Sequence, residues 1–118
     1  MLPTLAAIAA VGGGLFTLAL TVDFWRDSER AMRRATHRAE MLPKVMIGRY
    51  AAFTALAVGA ALSGDPAIIL FLFAVFLGLS LYDTVLYARA GHAWGPHALA
   101  AVLCLLPMGF AAAALVVS

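Results

Sequence analysis

Residues 63–87 read SGDPAIILFLFAVFLGLSLYDTVLY. From Ala67 to Tyr87 this stretch carries a single charge, Asp83. At about 1.5 Å per residue it is long enough to cross about 30 Å of hydrocarbon as a helix. It shows no polar/apolar alternation and is too long for a barrel strand, so a helix is expected. Ser63-Gly64-Asp65-Pro66, just before it, places a turn-forming residue at every position. Upstream of that turn lies another apolar run, from about Val45 to Leu62, so the two are expected to form an antiparallel hairpin. Further out, Leu2 to Val22 and His97 to Val117 have the same character.

Composition agrees with this reading. Hydrophobic residues make up 64% of the 118 residues and charged residues 12%, against about 45–50% and about 25% for soluble domains. Four spans of about 20 residues need about 80 apolar positions, which leaves no material for a soluble domain. The expected fold is an all-α membrane protein: one domain over residues 1–118, with four transmembrane helices (2–22, 45–62, 67–87, 97–117) and loops at 23–44 and 88–96. The first span lacks a positive leader, and Asp23-Phe24-Trp25-Arg26 follows it in place of a small-residue cleavage site. It is expected to be an uncleaved anchor.

Charge orients the spans. All eight basic residues fall on one side: Arg26, Arg30, Arg33, Arg34, Arg38, Lys44 and Arg49 around the first loop, and Arg89 after the third span. The other side carries only Asp65. The positive-inside rule puts both loops in the cytoplasm and both termini outside. Trp25, Tyr50, Tyr82, Tyr87 and Trp94 all gather at the same boundary. The outer face is expected to be nearly flush with the membrane, so function is expected within the bilayer or on the cytoplasmic face. Arginine far outweighs the single Lys44 in an alanine-rich chain, which points to a GC-rich bacterial genome and the inner membrane.

Ser28 to Leu42 is predicted to be a short amphipathic helix lying at the membrane interface. Asp27 or Ser28 can cap it, Glu29 suits its first turn, and Pro43 would stop it. Met32, Ala35, Ala39 and Leu42 share one face. Arg30, Arg34 and Arg38 form a ridge on another, with Arg33 beside them. Like charges at i, i+4 cost a few tenths of a kcal/mol each, so anionic headgroups or an acidic partner are expected to offset them. A net charge of +2 and the lack of a reading motif argue against nucleic acid.

In lipid, helices associate through small side chains. Ala51, Ala55, Gly59 and Ser63 make such a stripe on the second span, and Ala9, Gly13, Thr17 and Thr21 make one on the first. These two helices are expected to pack together. The third span is bulky, with Phe71, Phe73 and Phe76 set to face lipid or to offer an aromatic wall to a protein, chlorin or quinone. Pro107 is expected to kink the fourth span.

Asp83 is the one acidic residue inside a span, and such residues are functional candidates by default. Arg49 lies at matched depth on the other arm of the hairpin, so an Arg49–Asp83 ion pair is expected. Ser80 and Tyr87 share the face of Asp83. The single Cys104 excludes an internal disulfide and reads as a small packing residue. No span offers facing histidines for a haem, and His92 and His97 are separated by Gly95-Pro96. His37 lies in the first loop. No metal set or other cofactor is predicted; His97 alone could make a single pigment or haem contact. No P-loop, nucleophile elbow or His-Glu-x-x-His pattern is present.

Arg30-Ala31, Glu40 and Pro43, with Tyr82 and Tyr87 further on, resemble the MAPEG group (membrane proteins of eicosanoid and glutathione metabolism). The spacing is similar to the pattern that leads into that family's second span. The resemblance covers about 14 residues and implies a glutathione-dependent homotrimer. His37 departs from the family's Asn, and Asp83 stands where the family usually has arginine. Small multidrug transporters share the length and span number, but the first span here lacks their glutamate.

With no catalytic constellation and much apolar helix surface, the sequence points to a non-enzymatic accessory subunit. It would pack against a larger inner-membrane complex of respiratory or photosynthetic type, or against itself; the MAPEG-like enzyme is the alternative. The predicted topology has a direct check: a C-terminal reporter that is active only in the cytoplasm should stay silent, and activity would reverse the orientation.

Overall fold

The computed structural model describes residues 1–117. The chain is helical throughout, with no strand among the described residues: α1 (Leu2–Arg26), α2 (Ser28–Arg34), a 3-10 turn (Ala39–Met41), α3 (Leu42–Ser63), α4 (Pro66–Arg89) and α5 (Gly95–Val117). Four segments are long and apolar enough to cross a membrane: Leu2–Arg26, Ala39–Ser63, Pro66–Arg89 and Gly95–Val117. Each includes the predicted span and runs past it at the loop 23–44 or 88–96 end. Apolarity marks the hydrocarbon slab, whereas a helix ends where its terminal backbone groups find other partners.

Those partners can be named. Asp27 closes α1 in an extended conformation (φ −154°), and its Oδ1 accepts from the Arg30 N–H at 3.1 Å, so one residue ends α1 and caps α2. At the hairpin, the Ser63 hydroxyl donates to the Ala60 carbonyl at 2.6 Å and accepts from the Asp65 N–H at 3.2 Å. Asp65 then caps α4 by accepting from the Ala67 N–H at 2.9 Å. Gly64 supplies the left-handed step (φ 65°). α4 ends with the His92 N–H on the Tyr87 carbonyl (2.9 Å) and the Gly91 N–H on the Ala88 carbonyl (3.1 Å), around Gly91 at φ 75°.

The loop helix is shorter than expected. It stops at Arg34, not Leu42. The His37 N–H bonds to the Met32 carbonyl (2.9 Å) and the Thr36 N–H to the Arg33 carbonyl (3.2 Å), which is the same closure as at Gly91. Here Thr36 occupies the left-handed position at φ 59°. The ridge of Arg30, Arg34 and Arg38 is therefore cut: Arg38 lies in extended backbone (φ −125°) beyond the helix. Pro43 is the second residue of α3 rather than the stop of the helix before it. Proline suits that place because the first N–H groups of a helix lack intrahelical partners anyway.

Packing divides the chain into two compact units, Met1–Ile47 and the residues from Gly48 onward. In the first, α2 folds back on the end of α1. Ala31 is buried, Arg34 meets Asp23 at 3.3 Å, and the rings of Phe24 and His37 lie 6.5 Å apart.

In the second unit α4 and α5 pack closest. The buried residues there are all small: Ala60 on α3, and Ala101, Cys104 and Ala111 at helical spacing on α5. Small side chains let backbones approach where lipid gives no hydrophobic driving force. Phe73 and Phe76 are half-buried while Phe71 stays exposed. Ala51, Ala55 and Gly59 are exposed; Ala55 and Gly59 line a groove with Ile68 and Phe71 of α4. Open space surrounds both Gly13 and Gly59. α5 continues through Pro107, which shares a recess with Pro66 and Ile69.

Thr36 and Gly91, the left-handed residues that close α2 and α4, give substitutions of opposite sign. Thr36→Gly should stabilise by about 0.5–1 kcal/mol, because it removes a side chain that clashes in this conformation. Gly91→Ala should cost about 1 kcal/mol for the same reason. Unfolding in mixed micelles reads both, and equal signs would refute the account.

Candidate functional site

α3, α4 and α5 line a cavity of about 200 Å³, open on one side, at the end of the unit nearest loop 88–96. The lining comes from one or two turns of each helix: Arg49, Tyr50 and Phe53 from α3; Phe76, Leu79, Ser80 and Asp83 from α4; His97, Ala100 and Cys104 from α5. Positions i, i+3 or i+4, and i+7 share a helix face. Three such faces therefore converge on one space.

The walls are aromatic on one side. Phe53 and Phe76 have ring centroids 5.1 Å apart, and Tyr50 and Phe73 extend this contact at 6.1 and 5.5 Å edge to face. Offset and edge-on pairs of this kind are favourable beyond their area. The Arg49 guanidinium lies 5.4 Å from the Phe53 ring centroid, a cation–π contact one helical turn along α3. At the loop end Tyr87 lies against His97, ring centroids 4.5 Å apart, and touches His92 at 6.3 Å. A single tyrosine thus holds both histidines that the sequence had kept apart.

Arg49 and Asp83, expected to form an ion pair, line the same cavity. The ion pairs within 4.0 Å among the described residues are Arg34–Asp23 and Arg38–Glu40, so the two groups face one space without direct contact. Ser80 joins Asp83 on the cavity wall; its backbone carbonyl accepts from the Thr84 hydroxyl at 2.7 Å. No hydrogen bond within the protein engages the Asp83 carboxylate, the Arg49 guanidinium or the His97 ring among the described residues.

The basic loop residues form no part of this cavity. Arg34 pairs with the half-buried Asp23 and Arg38 with the exposed Glu40, and pairs near the surface contribute at most about 1 kcal/mol. Arg30 and Arg33 have none among the described residues. No group of three or more His, Cys, Asp or Glu side chains is placed to hold a metal among the described residues.

The sequence reading missed His97, Cys104, Tyr50 and Phe76 as neighbours of the Arg49–Asp83 pair. The available signal was the i, i+3, i+7 repeat of His97, Ala100 and Cys104, matched in α4 by Phe76, Ser80 and Asp83. No protein-family model matches the chain, and no curated protein and no solved structure matches it.

Proposed function

We propose that this chain is a non-catalytic accessory subunit of the bacterial inner membrane, packing its helices against a larger complex of respiratory or photosynthetic type. The observation that supports this reading is how little the helices bury. Among the described residues the buried ones are Ala31, Ala60, Ala101, Cys104 and Ala111, while Leu15, Phe16, Ile47, Phe71 and Phe110 are among many large apolar side chains left exposed. A surface this apolar and bulky suits burial against other membrane helices as well as lipid. In this reading both termini are periplasmic, and α2 lies at the cytoplasmic interface. Arg30, Arg33, Arg34 and Arg38 there meet anionic headgroups, worth about 1 kcal/mol per basic residue near such a surface.

Gentle detergent extraction tests the reading. The chain should travel with a large cofactor-bearing complex; a lone homotrimer that retains glutathione would replace this proposal with the MAPEG-like one. Changing Arg30, Arg34 and Arg38 together to Gln should loosen association without unfolding the spans. Unchanged binding to both anionic lipid and partner would remove that role from the basic segment.

Arg49 and Asp83 are proposed to hold α3 to α4 by complementary charge across the cavity. Asp83→Asn should cost about 1 kcal/mol, an amount in keeping with a partly screened charge near the interface. The exchanged pair, Arg49→Asp with Asp83→Arg, should recover part of it in the same unfolding measurement. No recovery would mean that the two charges act independently.

A further inference from the structure

The cavity between α3, α4 and α5 holds polar groups whose hydrogen-bonding capacity the protein leaves unused. Asp83 and His97 are half-buried, on helices apolar enough to span a membrane, and among the described residues neither side chain makes a hydrogen bond to protein, though the His97 ring packs against Tyr87. An unpaired charge within a membrane is costly. The groups are set for a ligand.

We infer that this cavity binds the single-ring headgroup of a lipophilic quinone or quinol. Size comes first. An apolar cavity of about 150 Å³ accepts benzene, so about 200 Å³ takes one substituted ring. It is too small for a chlorin or haem macrocycle, since pockets for drug-sized ligands begin at about 300 Å³.

Charge comes second. Arg49 and Asp83 cancel, so a neutral headgroup leaves both satisfied, whereas an anion or a cation would leave one charge in excess. Chemistry comes third. The Arg49 guanidinium and an imidazole N–H of His97 can donate to a quinone carbonyl, and Asp83 and the Ser80 hydroxyl can accept from a quinol O–H. Phe53 and Phe76 in the lining give a flat ring aromatic neighbours.

From His97 to Cys104 the cavity lining descends seven residues along α5, about 10 Å at helical rise. Tyr50 and Ala100 are exposed at its edge, so an apolar tail can stay in the bilayer while the ring enters. The inference rests on these three helices and not on any partner complex.

The test uses the full chain in nanodiscs, titrated with decyl-tailed para-benzoquinone against empty nanodiscs of the same lipid. One saturable site per chain is expected. Ala100→Phe should weaken binding at least tenfold, because a ring placed at the exposed edge fills the space. Ser80→Leu provides a second obstruction should the first fail to fold, as judged by circular dichroism and gel filtration. Arg49→Gln should weaken binding at least fivefold. Uptake that rises linearly with quinone, as simple partition does, would overturn the inference. So would undiminished binding in the folded obstructed variants, or equal competition by decanoate, which would identify a site for anionic amphiphiles. None of these outcomes bears on co-purification with a larger complex, so the two proposals fail separately.

Discussion

Within hydrocarbon no water is available to satisfy a backbone N–H or C=O, so each spanning segment must satisfy its own. The rest of this structure follows from that constraint. The four long segments are helices because a helix closes its hydrogen bonds internally. Every irregular stretch is confined to the ends, where Asp27, Ser63, Asp65, Gly91 and Thr36 take over the unsatisfied groups. The turn at 63–66 shows how compact this can be. A hydroxyl, a carboxylate, a glycine and a proline end one helix and begin the next.

The same constraint explains what the sequence could and could not disclose. Span number and approximate position were legible because apolar run length is what the bilayer selects. Helix ends were legible only where the capping residue was typical. Asp27 and the 63–66 turn could be read directly, but the end of α2 could not. A left-handed closing residue is ordinarily glycine or asparagine, and Thr36 gives no such signal. The apolar pattern continuing through Ala39 and Leu42 therefore extended the predicted helix too far. Pro43 was ambiguous for a related reason, since proline both follows helices and opens them.

The cavity divides along similar lines. Arg49 and Asp83 could be matched because each is an isolated charge whose depth can be counted from a nearby boundary. His97 and Cys104 share a face at i and i+7, but the rest of α5 is alanine-rich and apolar, so that spacing does not stand out. No contrast between its faces shows which one turns toward α4. That register is set by which small residues let the two backbones meet, and Ala101, Cys104 and Ala111 make the choice only in three dimensions.

The cavity itself comes from a mismatch of side-chain size. Ala101 and Cys104 draw α5 close to α4, while Phe53 and Phe76, meeting ring to ring, fill the space between α3 and α4 and keep those backbones further apart. A seam that is tight on one side and propped on the other leaves a void where the aromatic pair ends and the small residues begin. Arg49, Asp83 and His97 sit around that void, near the loop end of their helices. There a charge costs less than at the bilayer centre, where the insertion penalty is about 2.5–3.5 kcal/mol. Moving the polar groups deeper would raise that cost, and replacing the phenylalanines with smaller residues would let α3 close on α4 and remove the space. The positions of the charges and the sizes of their neighbours are thus fixed together, so a ligand site can exist here without a rigid soluble scaffold to support it.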